Sequence, residues 1–234
     1  MDVNIFERAN QIIRSCDTAY IGVIDEKEFP SVSTISVIDS KNIFEVYFAT
    51  GMNGNKARRL MKNARASVCC QCGNDNVTLV GECEVLTEQN EKSLHWKEWF
   101  INHFPLGETD PNYCVVKFTT KRVSLWIDRE SAEFEIDEIL KVQSRCGLLC
   151  DFCKYKESHG CGGCIETNGH PFYGECPIAE CCQKQGYTHC GDCDRIPDKN
   201  CKSCEGLYAY SYEDPEHGDN PPGARIEMCK AWNR

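Results

Sequence analysis

The chain has 234 residues, of which 41% are hydrophobic and 26% are charged, and its formal net charge is -10 at pH 7. This length is enough for one or two domains with a hydrophobic core, and the acidic balance argues against non-specific nucleic-acid binding. No run of about 18 apolar residues is present, so the sequence predicts no transmembrane helix. The first residues lack the basic and apolar regions of a signal peptide, which leads us to expect a cytoplasmic protein.

Cysteine density divides the chain into two parts. Of its 19 cysteines, six lie before residue 141 and thirteen follow it. We therefore predict a domain boundary after residue 138, with a first domain over residues 1–138 and a cysteine-rich domain over residues 139–234.

The first domain opens with a predicted helix over residues 3–15, where apolar residues recur at helical spacing. Residues 18–24 and 30–38 are predicted strands, and the second alternates small polar with β-branched apolar residues. Its serines indicate either a solvated sheet face or a surface that contacts a ligand.

A basic segment follows the next predicted strand, residues 43–50. Residues 51–55 form a turn rich in Gly and Asn, in which Asn53 or Asn55 could cap the helix that comes next. That helix and its end carry five positive charges: Lys56, Arg58, Arg59, Lys62 and Arg65. Free N–H groups at a helix start attract anions, so the turn, Thr50 and Lys56 predict a phosphate cradle, with a solvated basic helix face as the alternative.

The remaining elements of the first domain are predicted as a hairpin over 66–72 and 77–86, a helix over 88–103, strands over 113–119 and 121–127, and a linking helix over 133–141. About six strands with hairpin connections and two or three helices predict an antiparallel β-barrel. Cys69 and Cys70 would point to opposite faces of a strand, which favours small buried hydrophobes over metal ligands. His95 is interpreted as a structural residue of the helix.

The basic segment and its neighbours resemble the pyridoxamine 5′-phosphate oxidase-like, FMN-binding split-barrel family, and above all its general-stress-protein branch. The resemblance spans roughly residues 1–138. It rests on a strand ending in Thr50, a loop, and a pattern that is met here by Phe48, Thr50, Asn55, Lys56, Leu60, Asn63, Ala66 and Val68. It implies a fold that is mainly β with helices, an antiparallel split β-barrel.

The same resemblance implies a cofactor site and an assembly. Family members hold FMN at this loop and helix start, and the strand around Thr34 lies under the flavin. The implied FMN contacts are Ser33, Thr34, Ile35, Ala49, Thr50, Asn55, Lys56 and Asn76. The family also implies a homodimer with flavin at the interface, and an oxidoreductase whose substrate is unknown. No side chain is assigned as catalytic, a deazaflavin could replace FMN, and the alternative function is a non-catalytic flavin- or metal-binding module for sensing or interaction.

The second domain contains repeated Cys-x2-Cys pairs, which present thiolates at adjacent corners of a tetrahedron and strongly indicate metal. Because little apolar periodicity is present, we expect metal to replace a hydrophobic core. The predicted ligands are Cys146, Cys150, Cys153, Cys161, Cys164, Cys176, Cys181, Cys182, Cys190, Cys193, Cys201 and Cys204. Two or three zinc ions are expected, with His159, His170 or His189 as possible substitutes and an iron–sulfur cluster as the alternative. The pattern resembles a small bacterial cysteine-rich domain of unknown function.

Overall fold

A computed structural model describes residues 3–40, 42–195 and 224–233. It divides into two compact units, one formed by Arg8–Ile136 and the other by Met1–Glu7 with Asp137–Arg234. Among these described residues, no helix has both the length and the apolar character that crossing a membrane requires.

A helix precedes the barrel strands of the first unit, and most of these strands are joined as hairpins, as predicted. In chain order the elements are α1 Val3–Ser15, β1 Thr18–Ile24, β2 Pro30–Ile38, β3 Glu45–Gly51, α2 Asn55–Lys62, β4 Arg65–Cys72, β5 Asp75–Leu86, α3 Gln89–Leu94, 3-10 helices Glu98–Asn102 and Gly107–Thr109, β6 Tyr113–Ile127 and β7 Glu130–Glu135.

The strands form one antiparallel sheet in the order β3-β2-β1-β4-β5-β6-β7, and an additional pairing of β3 with β6 closes it. Six strands therefore make a closed barrel, and β7 continues the sheet beyond β6. This confirms the predicted mainly β fold with a barrel.

The barrel interior is apolar because alternate residues of each strand point inward. Directly paired residues share a face, and the pairs Ile21–Val68 and Phe48–Val116 are both fully buried. The other buried side chains of the interior include Ala19, Val23, Val46, Cys70, Val77, Leu79, Phe118, Val123 and Leu125. Cys70 thus packs as a small hydrophobe, while Cys72 at the end of β4 is exposed.

The two strands predicted over 113–119 and 121–127 are one strand, β6, which pairs with three neighbours. Its first half pairs with β3, its second half with β7, and β5 follows almost its whole length. The register against β5 shifts between Val80 and Gly81, which leaves Lys121 as an extra residue. The polar stretch around Lys121 is therefore a β-bulge rather than a turn.

The predicted linking helix over 133–141 is only partly helical, because its first three residues are the end of β7. β7 alternates exposed and buried residues through Ala132 and Phe134, and only Ile136–Ile139 is helical. The preceding turn places Asp128 and Arg129 at φ 53 and 69, as a two-residue type I′ hairpin requires. Sequence reasoning missed this turn because neither residue is glycine.

The segment predicted as one helix over 88–103 covers the outside of β2, β3 and β6. It consists of α3 and a 3-10 helix, since His95 leaves the helix to contact Asp39 at 3.0 Å and to stack on Tyr47 at 4.5 Å between ring centroids. The structural interpretation of His95, which is 6% exposed, agrees with these contacts. Below it lies a cluster of Ile38, Phe100, Phe104, Tyr113 and Val115.

A buried carboxylate joins the two hairpin turns at one end of the sheet. Asp75 is 8% exposed, accepts a hydrogen bond from the Asp128 amide at 3.0 Å and pairs with Arg8 at 3.3 Å. Asp75→Ala should lower the free energy of unfolding by about 1–3 kcal/mol because a buried amide loses its acceptor. Urea denaturation would measure this, with Asp75→Asn, which keeps an acceptor oxygen, as the milder control. Equal losses in both variants would contradict the role of the hydrogen bond.

Beyond residue 136, the described part of the second unit, residues 137–195 and 224–233, consists of short helices and turns. They are α4 Ile136–Ile139 at its border, a 3-10 helix Cys150–Phe152, α5 Lys154–Ser158, α6 Gly163–Glu166, α7 Pro177–Gln185, a 3-10 helix Cys190–Asp192 and α8 Ala224–Ala231. Trp232 donates from its indole N–H to the Ile139 carbonyl at 3.0 Å and packs edge-on to His189. These contacts hold the two ends of the described part of the unit together.

Candidate functional site

The loop between β3 and α2 is held in place by Asn112, which sequence reasoning did not assign to the site. The Asn112 carbonyl accepts from the Met52 amide at 2.7 Å, and its side-chain oxygen accepts from the Asn53 amide at 2.9 Å. A Cβ at Gly51 would lie 3.1 Å from the Asn112 amide nitrogen. Asn112 immediately precedes β6, so the β3–β6 pairing that closes the barrel also positions this loop.

Helix α2 begins at Asn55, and its N-cap is Gly54, not the predicted Asn53 or Asn55. Gly54 has φ -76 and ψ 155, and no side chain makes a cap hydrogen bond there. Asn53 lies one residue before the cap, and its backbone N–H donates to the Asn112 side chain. A glycine cap leaves the first-turn N–H groups open to an external acceptor, which is a favourable arrangement for an anion.

Lys56 joins the start of α2 to strand β2. Its ammonium donates to the Thr34 carbonyl at 2.9 Å in an exposed hydrogen bond. An ammonium has three donors, so two N–H groups remain available to a ligand. Asn55 beside it accepts a hydrogen bond from Arg58. A positive charge fixed by a strand beside open helix amides is a donor set that fits a phosphate.

Arg59 is used differently from Lys56. Its guanidinium pairs with Glu26 at 2.9 Å and donates to the Ser31 hydroxyl at 3.0 Å. The hydrogen bond from Arg59 lowers the pKa of the exposed Glu26 carboxyl to about 2. Arg59 therefore ties α2 to the β1–β2 hairpin, and we assign it to positioning the helix.

The predicted flavin-contacting residues fall on two faces of the sheet. Ser33 pairs with the buried Ile21, and Ile35, which is 4% exposed, pairs with the buried Ala19, so both point inward. Thr34 pairs with Tyr20 and points outward. On β3, the half-buried Ala49 pairs with Ser36 of the outer face, and Thr50 follows it before the loop.

Asn76 lies away from the other predicted contacts. It is on β5, which is separated from β2 by β1 and β4. Three strand spacings of about 4.8 Å put roughly 14 Å between the two strands. Within one chain, Asn76 and the Lys56–Thr34 contact do not form one compact cluster.

Six cysteines line one cavity of about 50 Å³ in the second unit. This six-cysteine cavity is formed by Cys146, Cys150, Cys153, Cys161, Cys164 and Cys176. The Arg145 amide donates to the Cys164 sulfur at 3.2 Å, and the Gly163 amide to the Cys161 sulfur at 3.4 Å. Burial raises the pKa of the Cys150 thiol, and the nearby Cys146 raises it further.

A second thiol pair lies outside that cavity. The sulfur atoms of Cys182 and Cys190 are 3.6 Å apart and buried. Nearby His189 accepts the Gly191 amide proton at its Nδ1 atom, at 3.0 Å, and thereby caps the 3-10 helix. Cys181, on the same helix as Cys182, and Cys193 are half-buried.

The predicted metal sites are not formed as such in the structure. Within residues 3–40, 42–195 and 224–233, no three His, Cys, Asp or Glu side chains are already placed to hold an ion. Cys201 and Cys204 lie outside the described residues. The structural feature that is relevant to the metal prediction is therefore the cavity that six cysteines line.

Comparison with known proteins bears on the barrel. Residues 6–144 match the family described as "Pyridoxamine 5'-phosphate oxidase like". A Clostridium acetobutylicum protein related to general stress protein 26 of B. subtilis is 22% identical, with a TM-score of 0.55 over 59% of this chain and 99% of that one. No curated protein matches the chain.

Two further solved structures resemble the chain at lower similarity. General Stress Protein 26 from Bacillus anthracis is 19% identical over 55% of this chain and 97% of that one, with a TM-score of 0.47. A heme binding protein from Mycobacterium smegmatis is 14% identical over 57% of this chain and 59% of that one, also with a TM-score of 0.47.

The family match covers the barrel and ends at residue 144, before the first cysteine of the six-cysteine cavity. It confirms the family predicted for the first domain and leaves the cysteine-rich segment outside the match. Through residues 6–144, the chain belongs to the pyridoxamine 5′-phosphate oxidase-like family.

Proposed function

We propose that the barrel binds FMN and that the protein is a flavin-dependent oxidoreductase of unknown substrate. The observation that carries this proposal is the Lys56 ammonium, held against the Thr34 carbonyl beside the uncapped start of α2. Lys56, the first-turn amides of α2 and the Thr50 hydroxyl would hold the phosphate. The outward surface at Thr34 and Ala49 would support the flavin ring.

The residues at the site determine what FMN and the protein would each contribute. Bound FMN would supply hydride or electron transfer, which no protein side chain provides. The chain would fix the phosphate through charge and amide donors, and Arg59 would keep α2 in register with β2 through Glu26 and Ser31. None of these groups is suited to act as a general acid or base near neutral pH.

A homodimer is part of the proposal. The outward face of the barrel exposes apolar side chains, with Tyr20 at 50%, Val32 at 68% and Trp126 at 44%. We propose that a second copy of the chain covers this face. A second copy of the chain on this face would also allow Asn76, distant from Thr34 within one chain, to contribute to a flavin held between two barrels.

The alternative function is a binding or sensing module that uses a flavin or metal without turnover. It is favoured by the character of the side chains at the proposed phosphate site, which are a lysine, amides and hydroxyls. Such groups bind an anion but do not move protons at neutral pH. Turnover with NADH or NADPH in the presence of FMN would decide for the enzyme.

For the cysteine-rich unit we propose zinc binding, with an iron–sulfur cluster as the alternative. Dense Cys-x2-Cys spacing and the six thiols around one small cavity support a soft metal. The proposed role of the metal is structural, because the described helices of this unit are short.

The flavin proposal is tested by titrating the full chain with FMN and with riboflavin, which lacks the phosphate. We expect FMN to bind at least about tenfold more tightly, because hydrogen bonds to a charged group contribute about 1.5–3 kcal/mol. Quenching of flavin fluorescence measures both affinities. Equal affinities, or no binding of either flavin, would exclude the phosphate site.

A further inference from the structure

We infer that the six-cysteine cavity binds two zinc ions as one binuclear cluster, in which two of the six thiolates bridge the metals. This inference rests on the zinc binding proposed above and specifies its ligands and stoichiometry. It is independent of flavin binding, because every residue involved belongs to the second unit.

The size of the cavity limits what it can hold. Its volume is about 50 Å³, whereas pockets for organic ligands are typically about 300–1,000 Å³. One water needs about 10–15 Å³ of such space, so the cavity holds a few waters or ions and not a nucleotide or a flavin. Six of the fourteen residues that line it are cysteines, and thiolates select a soft cation.

Counting ligands favours a binuclear site. Structural zinc is bound by four ligands, so a single ion would leave two of these six cysteines unused. Two separate four-thiolate sites would need eight cysteines and would have to use thiols outside the cavity, such as Cys182 and Cys190. Two ions that share two bridging thiolates need six, which is the number that lines the cavity. A four-iron cluster uses four cysteines and would again leave two over.

The backbone around the cavity is already arranged to support thiolates. Amides of Arg145 and Gly163 point at the sulfur atoms of Cys164 and Cys161. Gly163 has φ 70, and a Cβ at this position would lie 3.4 Å from the Cys150 sulfur. The left-handed glycine therefore allows the Cys161–Cys164 turn to approach Cys150 closely.

An aromatic group lies beside the thiols. The ring centroids of Tyr155 and Phe172 are 4.8 Å apart, and both rings border the cavity with Tyr173. Tyr155 is half-buried, whereas Phe172 is 43% and Tyr173 64% exposed. The rings therefore cover the cavity from solvent only in part.

Zinc binding changes the protonation state and the rotamers of the six cysteines. Six neutral thiols and two Zn²⁺ give one cluster of two zinc ions and six thiolates, with charge 2−, and release six protons. No oxidant or reductant takes part. Cysteine has a single side-chain torsion with three staggered states, and the inference requires the sulfur atoms to turn from the wall toward the ions. This rotation is required because no three such side chains of the described residues are already placed around an ion.

Cobalt replacement tests the bridging thiolates directly. The full-length chain is purified, its zinc and iron contents are measured, and the reduced metal-free protein is titrated with Co²⁺ under anaerobic conditions. Thiolate-bound cobalt absorbs strongly in the visible range, and bridged cobalt ions couple magnetically. We expect the EPR intensity per bound cobalt to fall severalfold as the cavity fills with its second ion.

Two variants sharpen the experiment. Cys164→Ser removes a ligand and should abolish the loss of EPR intensity, while Cys72→Ser changes an exposed barrel cysteine and should behave as the wild type. Should Cys164→Ser fail to fold, the wild-type titration decides alone. Cobalt bound without magnetic coupling would overturn the binuclear cluster and leave zinc binding standing. Absence of bound zinc and cobalt, or iron with sulfide in the purified protein, would overturn both.

Discussion

Lys56→Glu is expected to raise the Kd for FMN by about 100-fold or more. Removing one charged hydrogen bond costs about 1.5–3 kcal/mol, which is roughly a 10- to 150-fold change in affinity. A carboxylate at the same position adds repulsion toward the phosphate and loses the bond to the Thr34 carbonyl. Fluorescence titration of FMN into the two proteins measures the ratio.

The matched control is Lys62→Glu. It makes the same change of charge on the same helix, at its last residue, about 9 Å along the axis from Lys56. Ions screen such distances strongly at physiological salt, so this variant should change the Kd by no more than about threefold. Riboflavin affinity should be unchanged in both variants. Equal weakening by the two exchanges would show that the helix acts through net charge rather than through Lys56.

A milder exchange separates charge from folding. Lys56→Met keeps the apolar stem of the side chain and removes only the ammonium. It should weaken FMN binding about 10-fold while leaving the barrel folded. If it binds FMN as tightly as the wild type, the phosphate is held by other groups, and the proposed site is wrong whatever Lys56→Glu does.

Local patterns predicted the strands whose alternation is unbroken. β1, β2 and the hairpin of β4 and β5 were predicted within a few residues, because short apolar or alternating runs are separated by polar turns and the β4–β5 turn contains Gly73 and Asn74. The loop and helix around Lys56 were predicted for the same reason, since Gly, Asn and a basic helix lie next to each other in sequence.

Non-local features could not be predicted in the same way. Closure of the barrel joins β3 to β6, so Glu45 pairs with Thr119 across more than seventy residues. Neither β3 nor β6 has a local sequence pattern that identifies the strand with which it pairs. Because Asn112 reaches the phosphate loop only through that pairing, its role was also invisible from sequence.

The grouping of the cysteines is also a non-local feature that local sequence patterns do not predict. Spacing predicted thiolate pairs, but it did not tell which pairs share a cavity. In the structure, residues as far apart as Cys146 and Cys176 line one space, whereas Cys182 and Cys190 lie elsewhere. The sequence predicted twelve cysteine ligands for two or three zinc ions without grouping them. The structure places six of the twelve around one cavity, and these six form the proposed site.

The β5–β6 bulge should be the point at which the barrel is least tolerant of substitution. Gly81 faces the β6 backbone so closely that an added Cβ would lie 2.1 Å from the Thr119 carbonyl oxygen and 3.0 Å from the Phe118 ring. A backbone atom cannot turn away as a side chain can. The strands must therefore separate, or the bulge must move.

Gly81→Ala is accordingly expected to lower the free energy of unfolding by about 3 kcal/mol or more, at the upper end of the cost of overpacking a core. Gly22→Ala is the matched control in the same barrel. Its added Cβ would meet Val32 at 3.7 Å and the Ser67 carbonyl at 3.8 Å, which are ordinary contacts. Since alanine also restricts the unfolded chain, this variant should be as stable as the wild type or slightly more stable.

Urea denaturation followed by tryptophan fluorescence would measure both variants. A Gly81→Ala protein within about 1 kcal/mol of the wild type would mean that the bulge relocates at little cost. That result would leave the flavin proposal unaffected, because the β3–β6 pairing and not the bulge carries Asn112 to the loop before α2. A large loss confined to Gly81 would instead identify the bulge as the feature that fixes where β6 passes from β3 to β7.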